Sequence, residues 1–133
     1  MIEVPSDASD GADTRRSLTP TCLVVDDEPT ILRLVVLVLQ DLGYETLAAP
    51  DAETAAGILA FRRPDLIITD VRLPGTDGVE LTRHIKAAPP LQSTPVLLIS
   101  AYEPPSHAGD GFLAKPFDID GLTDFVAPYG HRR

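Results

Sequence analysis

Several polar side chains stand directly after short apolar runs of this sequence. Each could bind a cation or take part in proton or group transfer, and together they are Asp26, Asp27, Asp70, Ser100 and Lys115. Three carboxylates brought together repel one another unless a cation lies between them. Carboxylate oxygens with open water positions suit Mg²⁺ or Mn²⁺, and these ions also favour phosphate oxygens. If the five side chains meet in the fold, they predict a metal-dependent site for phosphoryl chemistry.

The apolar runs are predicted to be strands of a parallel sheet, because they are short, nearly continuous and separated by helical patterns. The strands are predicted at 21–25, 44–48, 66–69, 96–99 and 111–114. The helices are predicted to begin at Pro29, after Asp51 (running through Phe61), at Gly78 and after Asp118. This alternation indicates an α/β fold with a doubly wound five-stranded parallel sheet. In such sheets ligands bind beyond the carboxyl ends of the strands, where all five polar side chains would lie.

Length and composition are typical of one small domain. The chain has 133 residues, and its 20 acidic and 11 basic side chains give a formal net charge of −9, which argues against non-specific nucleic-acid binding. The single cysteine, Cys22, cannot form an intramolecular disulfide, and no secretory signal or long apolar run is present. We therefore expect a cytoplasmic protein that does not bind membranes. We expect a flexible acidic tail over residues 1–19, one domain over 20–129 and a short C-terminal end over 130–133.

The polar residues belong to a longer ordered pattern. Asp70 opens the segment DVRLPGTDG and lies 44 residues after Asp26, Ser100 lies 30 residues after Asp70 and precedes an alanine, and Lys115 opens the segment KPF. Over residues 20–128 this combination closely resembles the response-regulator receiver family of two-component signalling. The resemblance implies the flavodoxin-like strand order 2-1-3-4-5. It also implies a single-domain signalling phosphoacceptor, which is not an enzyme beyond its own phosphorylation and dephosphorylation.

The resemblance implies a role for each acid. Asp70 is the phosphoacceptor, which takes its phosphoryl group from the phosphohistidine of a histidine kinase or a histidine phosphotransfer protein. Mg²⁺, or Mn²⁺ in its place, is held by Asp26, Asp27, Asp70 and the backbone carbonyl of Arg72. Asp26 would act on the metal through a bound water.

The same resemblance places a conformational switch beside the acceptor. Lys115 and Ser100 would each bind a phosphoryl oxygen, and the Lys115–Pro116 peptide resembles the family's cis bond. Phe112 stands where the family often carries an aromatic residue that moves inward when Ser100 shifts toward the phosphoryl group. The alternative is that Phe112 is an ordinary core side chain. The switch formed by Ser100 and Phe112 therefore stays open at this point.

One segment departs from the family. Lys115 lies only 15 residues after Ser100, which leaves residues 101–110 for the whole connection between the fourth and fifth strands, and this segment includes Pro104 and Pro105. We therefore predict that the family's fourth helix is absent or reduced to about one turn. Its loss would bare apolar surface over the two strands, which a partner protein or a second copy in a homodimer would cover. The loss also puts the switch in doubt.

Two other functions compete with phosphoryl acceptance. A pseudo-receiver would keep the fold and bind partners without being phosphorylated, but the complete set of acids argues against it. A phosphatase of the haloacid-dehalogenase kind also forms an aspartyl-phosphate, but it normally has an acid two residues after its nucleophile, where this chain has Arg72. Since few residues follow Tyr129, we expect the signal to leave through contacts with a downstream protein partner rather than through an attached output domain.

Overall fold

The centre of the fold is a five-stranded parallel sheet. The computed structural model describes residues 19–102 and 108–130. Its strands are β1 (Thr21–Val25), β2 (Glu45–Ala49), β3 (Leu66–Asp70), β4 (Val96–Ser100) and β5 (Gly111–Ala114). They lie in the order β2-β1-β3-β4-β5, and every neighbouring pair is parallel. The doubly wound α/β fold with strand order 2-1-3-4-5 is confirmed.

Four α-helices within the described residues cover the sheet. They are α1 (Pro29–Asp41), α2 (Ala52–Leu59), α3 (Gly78–Ala87) and α4 (Ile119–Val126), with short 3₁₀ turns at Pro89–Leu91 and Ala127–Tyr129. An aspartate precedes each of the last three helices, and its carboxylate accepts a backbone N–H three residues on at 2.7 to 2.8 Å. The first helix instead begins with Pro29, whose fixed φ suits a first turn. It ends before Gly43, which takes a left-handed φ of 99°.

Several element boundaries differ from the prediction by one or two residues, and two of these differences lie beside helix ends. The second strand begins at Glu45, because the backbone N–H of Tyr44 donates to the carbonyl of Leu39 in the last turn of α1. The second helix ends at Leu59, because the N–H of Phe61 bonds to a carbonyl only three residues back, as in a tightened last turn. Both differences arise at helix ends, where the chain leaves the α-helical bonding pattern gradually.

Both faces of the sheet are covered in its centre. One apolar cluster joins α1 and α4 to one face, with Val24, Ile68 and Leu97 among its buried side chains. A second cluster joins α2 and α3 to the other face, around Ile67 and Leu98. As a result, all five residues of β3 and all five of β4 are buried. This explains why the sequence shows continuous apolar runs rather than alternation.

The connection between β4 and β5 is short. It spans residues 101–110, and its described part, which lacks 103–107, contains no helix. The prediction that the fourth helix of the family is absent or about one turn long is therefore confirmed. In β5, Phe112 and Ala114 are exposed while Gly111 and Leu113 are partly buried, so helices cover only one face of this strand.

Asp110 fixes the end of this connection. Its backbone N–H donates to the carbonyl of Val96 at 2.7 Å, and its carboxylate accepts the N–H of Val96 at 2.8 Å and lies 2.9 Å from the Nζ of Lys86. The hydroxyl of Tyr129 donates to the carbonyl of Asp110 at 3.1 Å. A Cβ at Gly109 would lie 2.8 Å from the carbonyl oxygen of Val96, so this approach requires glycine. The strand β5 thus starts from a point tied to β4, α3 and the C-terminal turn.

The ends of the chain lie largely outside the described residues. These include residues 1–18 of the predicted acidic tail and residues 131–133. The domain bounds expected from the sequence therefore stay predictions. In the part of the chain that the structure describes, no helix is both long and apolar enough to cross a membrane.

Candidate metal and phosphoryl site

Three aspartates meet at the carboxyl edge of the sheet. Asp26 and Asp27 directly follow β1, and Asp70 is the last residue of β3. Asp26 is fully buried, Asp70 is 5% exposed and Asp27 is exposed. Each offers a carboxylate oxygen, and these oxygens all lie within 4.8 Å of one another. The structure therefore brings together the three acids that the sequence singled out.

The parallel register of β1 and β3 explains this convergence. Val25 lies beside Thr69, so the residues that follow, Asp26 and Asp70, leave the sheet side by side. Asp26 then turns the chain toward α1, because its Oδ1 accepts the backbone N–H of Glu28 at 2.9 Å. Backbone pairing, rather than loop conformation, positions both buried carboxylates.

Lys115 reaches the acids from the end of β5. Its Nζ lies 3.0 Å from Oδ2 of Asp70 and 3.2 Å from Oδ2 of Asp26. Its backbone N–H donates to the carbonyl of Ser100 at 2.8 Å, which continues the pairing of β4 and β5 past the strand, and its peptide bond to Pro116 is cis. One ammonium therefore bridges two buried carboxylates.

Burial and neighbouring charges both shift pKa values at this edge. Burial raises the pKa of Asp26 and the charge of Asp70 raises it further, while the N–H of Glu28 and the ammonium of Lys115 only partly oppose this. Burial alone would lower the pKa of Lys115, but hydrogen bonds and attraction from Asp70 and Asp26 outweigh burial and raise it. Three carboxylates thus face one ammonium, and their oxygens are the hard ligands that Mg²⁺ prefers. The residues present fit a divalent cation.

A side-chain pair that the sequence did not predict lies beside Ser100. Ser100 ends β4 and is buried, and its Oγ accepts the backbone N–H of Tyr102 at 3.1 Å. The backbone N–H of Arg72 donates to Oδ1 of Asp70 at 3.2 Å, and the guanidinium of Arg72 lies 4.2 Å from the centroid of the Tyr102 ring. Sequence reasoning used the carbonyl of Arg72 as a metal ligand and the identity of Arg72 as an argument against a phosphatase, but assigned no role to its guanidinium. The one available signal was that each member of the pair stands two residues after a predicted site residue.

Gly78 is a second feature whose role the sequence did not reveal. A Cβ at this position would lie 2.0 Å from the carbonyl oxygen of Asp70. The backbone N–H of Gly78 donates to the carbonyl of Val71 at 2.8 Å. Only glycine allows the start of α3 to lie this close to the end of β3. Sequence reasoning took this glycine only as a helix start, whereas it also lets α3 lie close to the backbone carbonyl of Asp70.

Comparison with known proteins identifies the family. The family model described as response regulator receiver domain matches residues 22–127, a span that contains every site residue named above. This chain is a response regulator receiver domain. Receiver domains are signalling proteins rather than classical enzymes.

The curated relatives of this receiver differ in length. It is 33% identical over 114 residues to sporulation initiation phosphotransferase F of Bacillus subtilis, with 80% of this chain and 90% of that protein covered. It is 34% identical over 112 residues to chemotaxis protein CheY of Pseudomonas aeruginosa, covering 78% and 90%. It is also 34% identical over 104 residues to the phosphate regulon transcriptional regulatory protein PhoB of Pseudomonas aeruginosa, covering 73% of this chain. The receiver spans only 45% of the length of that last relative.

Solved structures share the fold of this receiver. Chemotaxis response regulator CheY4 of Vibrio cholerae has a TM-score of 0.77 and 30% identity, with 84% of this chain and 98% of that chain covered. Response regulator protein TrrA of Thermotoga maritima, solved in complex with Mg(2+)-BeF, has a TM-score of 0.73 and 32% identity, with 84% and 99% covered. The likeness therefore includes a receiver that was solved with a magnesium complex.

The predicted switch residues of this receiver lie on one face of the sheet. The register pairs Leu98 with Phe112 and Ser100 with Ala114, so Ser100 and Phe112 point to the same side. This is the side on which no described helix covers β5. Phe112 is 36% exposed, so its ring lies at the surface rather than within the core. The switch itself stays a prediction.

Proposed function

We propose that this receiver domain accepts one phosphoryl group on Asp70 from phosphohistidine, with Mg²⁺ or Mn²⁺ bound beside it. The observation that carries the proposal is the meeting of three carboxylates, one ammonium and one buried hydroxyl at a single sheet edge, in a chain of the receiver family. The groups that would hold the metal are Asp26, Asp27, Asp70 and the backbone carbonyl of Arg72. Asp26 would do so through a water.

Phosphoryl transfer needs mainly positioning and charge stabilisation from the protein. A carboxylate oxygen of Asp70 attacks phosphorus in line, the phosphorus–nitrogen bond of the donor breaks, and its electron pair stays on the donor imidazole. The bound metal supplies positive charge against the phosphoryl oxygens. Lys115, which already lies 3.0 Å from Asp70 and whose raised pKa keeps it protonated, pairs with one phosphoryl oxygen. The hydroxyl of Ser100 donates to another.

The donor partner is a histidine kinase or a histidine phosphotransfer protein, and the receiver signals to a downstream protein partner in the cytoplasm. The relatives support this class of partners, since they include a sporulation phosphotransferase and a chemotaxis protein. The net charge of −9 disfavours nucleic acid as a partner.

The uncovered face of β5 is the proposed output surface. Phe112 and Ala114 are exposed there, beside the buried Leu98 of β4. A shift of Ser100 toward the phosphoryl group would change the packing of Phe112 on this face, and a homodimer or a downstream partner would sense the change. Light scattering with and without the phosphoryl mimic beryllofluoride distinguishes a homodimer from a monomer that binds a different partner.

Intact-protein mass after incubation with acetyl phosphate tests the proposed function. With Mg²⁺ we expect one phosphoryl adduct on the wild type, and none on Asp70→Asn or after the metal is chelated. Asp124→Asn, which changes an exposed acid on α4, is the matched control and should be phosphorylated like the wild type. If acetyl phosphate and phosphohistidine donors all leave the protein unmodified, the proposal is wrong, and a pseudo-receiver that binds partners without phosphoryl transfer takes its place.

A further inference from the structure

A cation–π pair lies beside the proposed acceptor. The guanidinium of Arg72 is 4.2 Å from the centroid of the Tyr102 ring, Arg72 is exposed and Tyr102 is 59% exposed. Within residues 19–102 and 108–130, no carboxylate lies within ion-pair distance of Arg72. Stacking uses the face of the guanidinium, so its N–H donors remain available at the edge.

Each member of the pair is tied through its backbone to a group that would contact the phosphoryl group. The N–H of Arg72 donates to Oδ1 of Asp70 at 3.2 Å, and the N–H of Tyr102 donates to Oγ of Ser100 at 3.1 Å. A serine hydroxyl can accept such a bond and still donate its own proton. The pair therefore links the segment that follows the acceptor to the segment that follows Ser100.

Phosphoryl transfer would change the charge that Arg72 faces. An aspartyl phosphate replaces one carboxylate charge with up to two phosphoryl charges and adds three strong acceptor oxygens. Before transfer, Lys115 already contacts Oδ2 of Asp70, and the carboxylates of Asp26 and Asp70 are buried. A hydrogen bond between guanidinium and phosphate is charge-assisted and stronger than an exposed cation–π contact. Once the phosphoryl group is present, the guanidinium of Arg72 is therefore stabilised more by a hydrogen bond to a phosphoryl oxygen than by stacking on the Tyr102 ring.

Resting on the proposed function, we propose that Arg72 is a second cationic ligand of the phosphoryl group. Arg72 stacks on Tyr102 in the unphosphorylated receiver and donates to a phosphoryl oxygen after transfer, which releases the Tyr102 ring. The described part of the connection between β4 and β5 contains no helix, so an aromatic side chain at the start of that connection would display the state of the acceptor. The pair couples the acceptor to the surface independently of Phe112.

NMR of the whole protein with Mg²⁺ and beryllofluoride tests this inference. Stacking on Tyr102 moves the δ-methylene protons of Arg72 upfield through the ring current, and the Tyr102→Leu variant gives their unstacked positions. When Mg²⁺ and beryllofluoride are added to the wild type, we expect the Arg72 signals to move to these unstacked positions. The signals of Arg33, an exposed arginine on α1, should stay in place.

The backbone amides of Asp70 and Ser100 report separately whether the mimic is bound. If these amides shift while the Arg72 side chain keeps its stacked positions, the inference is wrong and the proposed function stands. If none of these signals shifts, the proposed function fails and the inference fails with it.

Affinity for beryllofluoride gives a readout that a merely structural pair would not produce. Arg72→Gln removes a ligand, so we expect about tenfold weaker binding. Tyr102→Leu removes the competing contact, so we expect about threefold tighter binding. Arg33→Gln is the matched control and should bind like the wild type. Equal losses of affinity in the Arg72 and Tyr102 variants would contradict the inference.

Discussion

The two ends of β5 are fixed by different ion pairs. At the carboxyl end, Lys115 contacts Asp26 and Asp70, and all three side chains are largely buried. At the amino end, Asp110 contacts Lys86 in a pair whose side chains are 41% and 32% exposed. At the carboxyl end, two carboxylates share one ammonium, so negative charge is in excess there. At the amino end, the pair of Asp110 and Lys86 ties the short connection to α3. Strand pairing and the Asp110 contacts therefore position Lys115, and neither depends on a helix in the described part of the connection between β4 and β5.

Packing also differs between β3, in the middle of the sheet, and β5, at its edge. Every residue of β3 is buried because α-helices cover both faces of that strand. Alternate residues of β5 are exposed because only one face is covered. We therefore expect the same kind of substitution to lower the free energy of unfolding much more in β3 than in β5.

Truncation in the sheet should give the largest effect. Ile68→Ala opens a cavity in a core covered on both sides, so we expect a loss of about 4 kcal/mol in the free energy of unfolding. Phe112→Ala removes a partly exposed ring, so we expect a loss of about 1 kcal/mol. Urea unfolding of both variants measures the difference. A Phe112 variant as unstable as the Ile68 variant would show that the uncovered face of β5 is packed like the core.

Removal of the lysines should give the next largest effect. Lys115→Met leaves two buried carboxylates without their ammonium, so we expect a loss of about 3 kcal/mol in metal-free protein, which Mg²⁺ partly restores. Lys86→Met breaks a pair that solvent screens, so we expect a loss below about 1 kcal/mol that Mg²⁺ does not change. Urea unfolding in chelator and in Mg²⁺ compares them. A larger loss from Lys86→Met would reverse the comparison between the two ends of β5.

Asp26→Asn should give a smaller effect than Lys115→Met, with the opposite sign. The pKa of Asp26 is raised in the folded protein, mainly by burial, so the folded state binds this proton more tightly than the unfolded chain does. The stability contributed by protonated Asp26 is therefore lost as pH rises from about 3.9, the ordinary aspartate value, through the raised value. Without metal at pH 7, we expect the variant to be more stable than the wild type by on the order of 1 kcal/mol.

Unfolding of the wild type and Asp26→Asn between pH 4 and pH 7 in chelator checks this sign. The stability of the wild type relative to the variant should fall as pH rises. If the free energy of unfolding of the wild type instead rises relative to that of Asp26→Asn as pH rises, the raised pKa of Asp26 is contradicted.

The strand ends could be predicted from the sequence because their signals are local. Every apolar run except the second stops at a polar residue, and parallel pairing then places Asp26, Asp70, Ser100 and Lys115 at one edge. The short connection was also predictable, because counting residues between Ser100 and Lys115 left too few for a helix. These inferences depend only on residue type and on separation along the chain.

The remaining features arise from contacts between distant segments. The stacking of Arg72 on Tyr102 and the contact of Lys86 with Asp110 join side chains that no periodicity relates. The close approach of Gly78 to the carbonyl of Asp70 depends on how α3 packs against β3. Such contacts follow from the assembled fold, so residue spacing alone could not predict them.

Borohydride reduction followed by peptide mapping tests the central claim most directly, namely that Asp70 is the phosphoacceptor of this receiver. Borohydride reduces an aspartyl phosphate to homoserine and leaves a free carboxylate unchanged. After phosphorylation with Mg²⁺, we expect homoserine at residue 70 alone, and none when donor or metal is left out. Homoserine at another aspartate such as Asp27, or none from a protein that carries the phosphoryl adduct, would contradict it.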